Sequence, residues 1–231
     1  MTALTIVESN ADFVVINKPS GMSAHNELGN DVNSLLASQL KIPAAQVLLV
    51  QRLDQETSGL MVVSINAQSV AGLKEQLEYG SPNSVLEKRY YGLTRGKLKR
   101  NEPHATEVIC SEPLSNKAEG RKNPLGKTAD RVPAKTQFTV LKENPYFSLV
   151  QASLFSGRTH QIRKHLAFLN APIVGDSRYN DSNYNSKMAS MYSNERMFLQ
   201  SYFVKFMWKN KTYSFEIPLD KEFTQLLPNP T

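Results

Sequence analysis

At 231 residues the chain is long for one ordinary domain and short for two, and its 40% hydrophobic and 21% charged residues exclude disorder and supply a core that needs no staples. A single cysteine, Cys110, excludes an internal disulfide and any cysteine-rich zinc site. The net charge of +6 and pI near 9.3 fit a mildly basic enzyme or a protein that meets a polyanion, without separating RNA from DNA or from small phosphorylated substrates.

The N-terminus carries Glu8 and Asp12 early and no basic stretch leading into an apolar one, so it does not read as a signal peptide. No apolar run approaches the roughly 20 residues of a membrane span. A soluble, cytoplasmic protein without membrane association is the expectation. Residues 4–7 and 13–17 read as short strands around a turn at Ser9-Asn10-Ala11-Asp12, and Lys18-Pro19-Ser20-Gly21 turns the chain again. Residues 31–40 form an amphipathic helix capped by Asp31 or Asn33. Leu60 to Ile65 is a run of the buried-strand type, residues 67–78 a second amphipathic helix, and residues 87–96 another strand.

Residues 97–131 are the most polar and basic stretch, holding Lys97, Lys99, Arg100, Lys117, Arg121, Lys122, Lys127 and Arg131. They read either as a solvated loop with a hairpin inside or as a segment that follows a phosphate backbone. Residues 134–155 alternate as a pair of antiparallel strands, a helix follows over 159–168, and Pro172 marks the exit from it. Residues 197–219 read as a hairpin turning at Asn210-Lys211. Strands outnumber helices and hairpin signals recur, so the fold class is α+β with a largely antiparallel (mixed) sheet in two fused lobes, one catalytic domain over 1–231. Neither GxGxxG nor GxxxxGK[ST] occurs, which removes the usual marks of dinucleotide and ATP chemistry.

Two segments carry candidate chemistry. Gln51 to Leu60 sets Arg52 and Asp54 between an apolar run and a strand, a place where sites are built, although a local ion pair in a turn is the commoner use of such residues. Ser156 to His165 crowds Arg158, Thr159, His160, Gln161, Arg163, Lys164 and His165 around a glycine turn and a helix start, which suits an anionic ligand or simply a solvated first turn. Arg163 lies one turn beyond Thr159 and His160, so the three can share a face. His160 and His165, five apart with no carboxylate between them, do not suit zinc.

Taken together, Asn17-Lys18-Pro19-Ser20-Gly21, Arg52-Leu53-Asp54-Gln55-Glu56-Thr57-Ser58-Gly59-Leu60, Lys88-Arg89-Tyr90, Gly157 to His165 and Pro172 to Tyr179 resemble, in the same order, the signatures of the RluA-type family of RNA pseudouridine synthases. The resemblance runs from about residue 6 to about residue 218. Two positions depart from it: Gln51 stands where the family usually has His, and Leu199-Gln200-Ser201 stands for a frequent Leu-His-Ala. Both bear on substrate choice more than on activity. The small N-terminal RNA-binding module of many relatives is not expected.

The resemblance implies a pseudouridine synthase-like fold and an enzyme that isomerises a uridine of ribosomal or transfer RNA, with no cofactor and no metal; nothing in the sequence suggests an obligate interface, so a monomer is expected. It implies Asp54 as the essential carboxylate, Arg163 as its paired cation and Tyr90 as the ring that stacks on uracil. Arg52 would hold the flipped-out base, with Thr57, Arg158, His160, Gln161 and Ile162 completing the substrate-binding set. A competing reading from another class is an RNA-binding protein that keeps this fold without chemistry. A hydrolase using Asp54 and His160 is poorer, because no second carboxylate or activated serine accompanies them.

Overall fold

The first turn of the chain already shows how polar groups are settled here: Asn10 accepts from the backbone N–H groups of Asp12 and Phe13 and closes the first hairpin. In the computed structural model, residues 3–25, 27, 29–82, 84–100, 102 and 105–227 are described; Asn101, Pro103 and His104 of the basic stretch lie outside them. The elements run β1 (Thr5–Ser9), β2 (Phe13–Lys18), α1 (Val32–Leu40), β3 (Leu48–Leu49), β4 (Ser58–Ser64), α2 (Val70–Gln76) and β5 (Glu87–Arg95). Then come β6 (Glu107–Cys110), β7 (Leu114–Ser115), β8 (Arg131–Val132), β9 (Thr136–Glu143), β10 (Phe147–Leu154) and α3 (Gln161–Phe168). α4 (Ser182–Tyr192), β11 (Leu199–Trp208), β12 (Lys211–Glu216) and α5 (Lys221–Leu226) complete the chain.

These elements form two compact units. The first comprises the described residues up to Lys88 with Ser201–Ile217, and the second Arg89–Gln200 with the described residues from Pro218 on. In the first unit the strand order is β1-β2-β4-β11, with β3 on β4 and β12 on β11. β2 and β4 are antiparallel with Phe13 opposite Ser64 and Lys18 opposite Gly59. Both are buried almost throughout, which explains why Leu60 to Ser64 reads as a continuous apolar run rather than an alternating one. Val14, Ile16, Met61 and Val63 meet Val32, Leu35 and Leu36 of α1 in one core cluster. Asp31 caps α1 through the Ser34 N–H, as expected, and Lys41 ends it in the left-handed region. The β11–β12 hairpin turns at Lys209-Asn210, one residue earlier than expected, with both residues at positive φ as a type I′ turn requires. That turn delivers Lys209 and Trp208 to Asp12, whose carboxylate also receives Asn66. Lys209 first and Trp208 second hold this carboxyl below its ordinary range.

In the second unit the order is β5-β10-β9-β6, each neighbouring pair antiparallel, so residues 136–143 and 147–154 are the strand pair the alternation predicts. The hairpin expected inside the basic stretch is the short β7–β8 pair, with Leu114 opposite Val132. Residues 172–174 lie alongside β5: the Arg95 N–H donates to Pro172 and Val174 donates to Leu93. A core of Leu93, Phe147, Leu149, Val174, Phe198, Phe223 and Leu226 fills this side. The architecture is the α+β one expected. The helices α4 and α5, the edge strand β6 and the two-residue β3 were not anticipated.

Gly59 shows how tightly the first unit is packed. At φ +107° it sits in the left-handed half of conformational space, and a Cβ there would lie 2.1 Å from the Ser201 carbonyl oxygen of β11. Gly59→Ala is therefore expected to cost about 3 kcal/mol or more in unfolding free energy, read as a fall in the urea midpoint. A midpoint unchanged within error would contradict this packing.

Candidate active site

In the first unit the turn carrying Asp54 is built from backbone carbonyls and one buried cation. The Lys18 ammonium, with no exposed surface, donates to the carbonyls of Pro19, Met22 and Gln55 at 3.0, 3.0 and 2.9 Å. Gly21 N–H donates to the same Gln55 carbonyl, the Ser20 hydroxyl donates to Glu56, and the Gln55 amide returns a bond to Gly21. Thr57 N–H closes the turn on the Asp54 carbonyl at 3.1 Å. Leu53 packs against the first unit's core, so the residue between Arg52 and Asp54 anchors the turn. Arg52 is exposed, Asp54 half-buried and Thr57 buried. Sequence reasoning quoted the segment with Lys18 but gave that residue no task. The signal available was a lysine inside an otherwise apolar strand end, since a fully buried lysine demands partners.

In the second unit, the segment expected to be a helix over 159–168 is helical from Gln161, and His160 precedes it at φ +56°. The Gln161 side chain spends its whole hydrogen-bonding capacity on the protein. Its Nε2 donates to the Lys135 carbonyl and Thr136 Oγ1, and its Oε1 accepts from Arg158 N–H and Ser156 Oγ. His160 Nδ1 lies 3.1 Å from the Tyr179 hydroxyl. Arg158 donates through Nε to the Pro133 carbonyl. Ile162 is buried, and Tyr90 is buried on β5 opposite Ala152.

Arg163 and Asp176 form a bidentate pair with almost no exposed surface: Nε to Oδ2 at 2.8 Å and Nη2 to Oδ1 at 2.9 Å. Oδ1 also accepts from the N–H groups of Arg178 and Tyr179, and the Arg163 guanidinium lies over the Tyr179 ring, 5.4 Å from its centre. Asp176 was not anticipated as this arginine's partner. The expected pairing of Arg163 with Asp54 concerns side chains of different units.

The next two residues of α3 are buried polar groups as well. Lys164 donates to the carbonyls of Ser115 and Lys117, both at 2.7 Å, and so ties the helix to the basic stretch; burial lowers its pKa. His165 donates from Nε2 to the Glu112 carbonyl at 3.0 Å, which leaves Nδ1 to accept from the Thr136 hydroxyl at 2.8 Å. Burial lowers the pKa of this imidazole below 6.5 and keeps it neutral. Among the described residues no group of three or more His, Cys, Asp or Glu could hold a metal ion.

Gln200, the departure from the family pattern, is also committed internally. Its amide donates to the Pro218 carbonyl and to Asp220, and its carbonyl accepts from Asp220 N–H, which fixes the chain before α5. The Gln51 departure has no comparable account. Among the described residues no helix is long and apolar enough to cross a membrane.

Because the unfolded chain takes up a proton at His165 near pH 6.5 and the folded chain only at lower pH, stability falls on acidification from about pH 6.5 down to the folded value. The slope is at most about 1.4 kcal/mol per pH unit. Urea midpoints at pH 7, 6 and 5 are expected to decline less steeply in His165→Gln than in the wild type. Parallel declines would remove the neutral assignment. Asp176→Asn leaves the Arg163 charge buried with its bidentate partner gone, at a cost of about 3–5 kcal/mol in the same measurement.

A family model described as RNA pseudouridylate synthase matches residues 12–168. The chain is 30% identical over 218 residues to the ribosomal large subunit pseudouridine synthase C of Pasteurella multocida, covering 93% of this chain and 64% of that one. It is 31% identical over 227 residues to the Vibrio cholerae protein of the same name, covering 96% and 68%. It thus spans less than two thirds of the first relative's length. Among solved structures, human RNA Pseudouridylate Synthase Domain Containing 4 superposes with a TM-score of 0.74 at 23% identity, over 96% of this chain and 91% of that one. Human RNA Pseudouridylate Synthase Domain Containing 1 gives 0.70 at 20%, over 93% and 83%, and both likenesses concern the fold. Since the family model covers well over half of its residues, the chain belongs to the RNA pseudouridylate synthase family.

Proposed function

We propose that this protein isomerises a uridine in RNA to pseudouridine, with Asp54 as the carboxylate that acts at the ribose. The reaction breaks the N1–C1′ bond, turns the uracil, joins C5 to C1′, releases the C5 proton and leaves N1 protonated. Nothing is oxidised and no group is imported, so the proposal needs neither cofactor nor metal. Asp54 acts either as a nucleophile or as a base at C2′, and both roles use the ionised form. A cation beside a partly buried carboxylate favours that form, which is the part proposed for Arg163.

The observation that carries the reading is the turn from Arg52 to Ser58, a half-buried carboxylate on a loop whose backbone is pinned by the buried Lys18 ammonium in a chain of this family. Sites need such pre-set geometry, because a displacement of about 1 Å at the reacting group can cost on the order of 100-fold in rate. Tyr90 is proposed to stack on the uracil, with its hydroxyl assisting departure of the C5 proton. Ile162 would line the apolar side of the base pocket. Arg52, Thr57, Arg158 and His160 are proposed to hold the extruded nucleotide and its phosphates, offsetting the few kcal/mol that unstacking costs. Gln161 is given a positioning part, as its amide is filled by the protein. The substrate proposed first is large-subunit ribosomal RNA, on the strength of the relatives' names; transfer RNA is the alternative target.

The test uses RNA transcribed with uridine tritiated at C5, or total RNA from cells lacking this gene. Wild type should release tritium, whereas Asp54→Asn should bind the same RNA with unchanged affinity and lose release by on the order of 10³-fold or more. Tritium release by Asp54→Asn at the wild-type rate would end the assignment. Binding by wild type with no release from any RNA would turn the reading to an RNA-binding protein without chemistry.

A further inference from the structure

Among the exposed apolar side chains of the second unit, Phe155 combines a pinned backbone with a cation against its ring. It follows the last residue of β10 and is 52% exposed. A lone exposed aromatic ring is ordinary on a protein surface. Here, however, the backbone around the ring is tied on every side. Phe155 N–H donates to the Lys135 carbonyl, Lys135 N–H donates to Ser156 Oγ, and the Gln161 amide joins Lys135, Ser156 and Arg158. The ring is therefore presented from a pinned backbone rather than from a loose loop.

The Lys135 ammonium lies 5.1 Å from the ring centre, a cation–π contact. The Arg158 side chain is drawn beside the same segment by its Nε bond to Pro133. Residues 131–137 and 154–161 hold Arg131, Lys135 and Arg158 and contain no Asp or Glu. A flat apolar surface beside a cation is complementary to a nucleobase with its own phosphate.

We propose that Phe155 is a stacking platform for an unpaired base of the RNA, with Lys135 holding the adjacent phosphate. The proposal rests on the RNA reading above and adds a contact outside the residues assigned to the reacting nucleotide. It commits to single-stranded RNA, because a base within a duplex has both faces covered by its neighbours. A second copy of this chain, or an acidic peptide, would use the same surface without preferring unpaired bases.

The experiment measures binding of a labelled twelve-residue oligouridylate and of a mixed-sequence twelve-base-pair RNA duplex by fluorescence anisotropy. Phe155→Ala and Phe155→Leu are expected to weaken oligouridylate binding roughly 5- to 100-fold, to leave duplex binding unchanged, and to keep the salt dependence of the wild type. Phe155→Trp should bind at least as well as wild type, and Lys135→Met should flatten the salt dependence. Wild-type affinity in Phe155→Leu would show that volume and not the π face matters, and would overturn the proposal. Equal losses on both RNAs, or no binding of oligouridylate by the wild type, would overturn it too. These readouts are equilibrium affinities, so they can fail while tritium release still depends on Asp54, and the isomerisation reading can fail while they hold.

Discussion

A lysine ammonium without exposed surface must find acceptors inside the protein or lose its charge, and much of the first unit's candidate site follows from how Lys18 does so. Its acceptors are backbone carbonyls from Pro19 and Met22 on one turn and from Gln55 on another. Each such bond involves a charged donor and is worth about 1.5–3 kcal/mol, more than a neutral one. Two irregular segments that have no ladder of their own are thereby held as one body. The Asp54 turn is tied down by hydrogen bonds without being part of a strand, which is the setting that the role proposed for Asp54 requires.

The second unit solves a similar problem along one helix. Arg163, Lys164 and His165 are consecutive and buried, and they meet three different segments: Asp176, the carbonyls of Ser115 and Lys117, and the Thr136–Glu112 pair. Consecutive residues on a helix diverge by about 100° each, so one turn can reach in three directions. α3 works as a hub from which the basic stretch, the 176–179 turn and the start of β9 are oriented. Removing a partner of such a buried group costs more than the bond itself when no other group can take its place.

How far the sequence could be read depended on whether a segment's pattern reflected its own burial. β2 and β4 were visible because both of their faces are covered, and α1 because Asp31 and a clear apolar stripe mark it. α4 was missed for a physical reason. It is rich in Asn and Ser, none of its residues is fully buried, and it meets the core through Tyr184, Met188 and Tyr192 alone. α5 is six residues long and β6 four, too short for any period to show. The candidate residues themselves were legible as a set through their resemblance to a family. What stayed hidden was which of them are saturated by the protein. Gln161 looks like any polar residue at a helix start, and nothing local says that four protein groups fill its amide. The partnership of Arg163 with Asp176 joins positions thirteen apart through a turn at Gly175, and charge patterning along a helix looks only three or four residues ahead.

The way the chain leaves the first unit and returns to it has a bearing on biosynthesis. β4 takes β11 as a neighbour, yet Ser201–Trp208 follows Ser64 by about 140 residues, with the second unit encoded between them. At about 5–20 residues per second, a ribosome needs on the order of 7–30 s to supply that strand. Throughout this interval one edge of a strand centred on Leu60-Met61-Val62-Val63 waits without β11. A nascent chain in that condition is open to pairing with another copy, so the yield of folded protein should be governed by translation speed and chaperone access as much as by the equilibrium stability of the finished molecule.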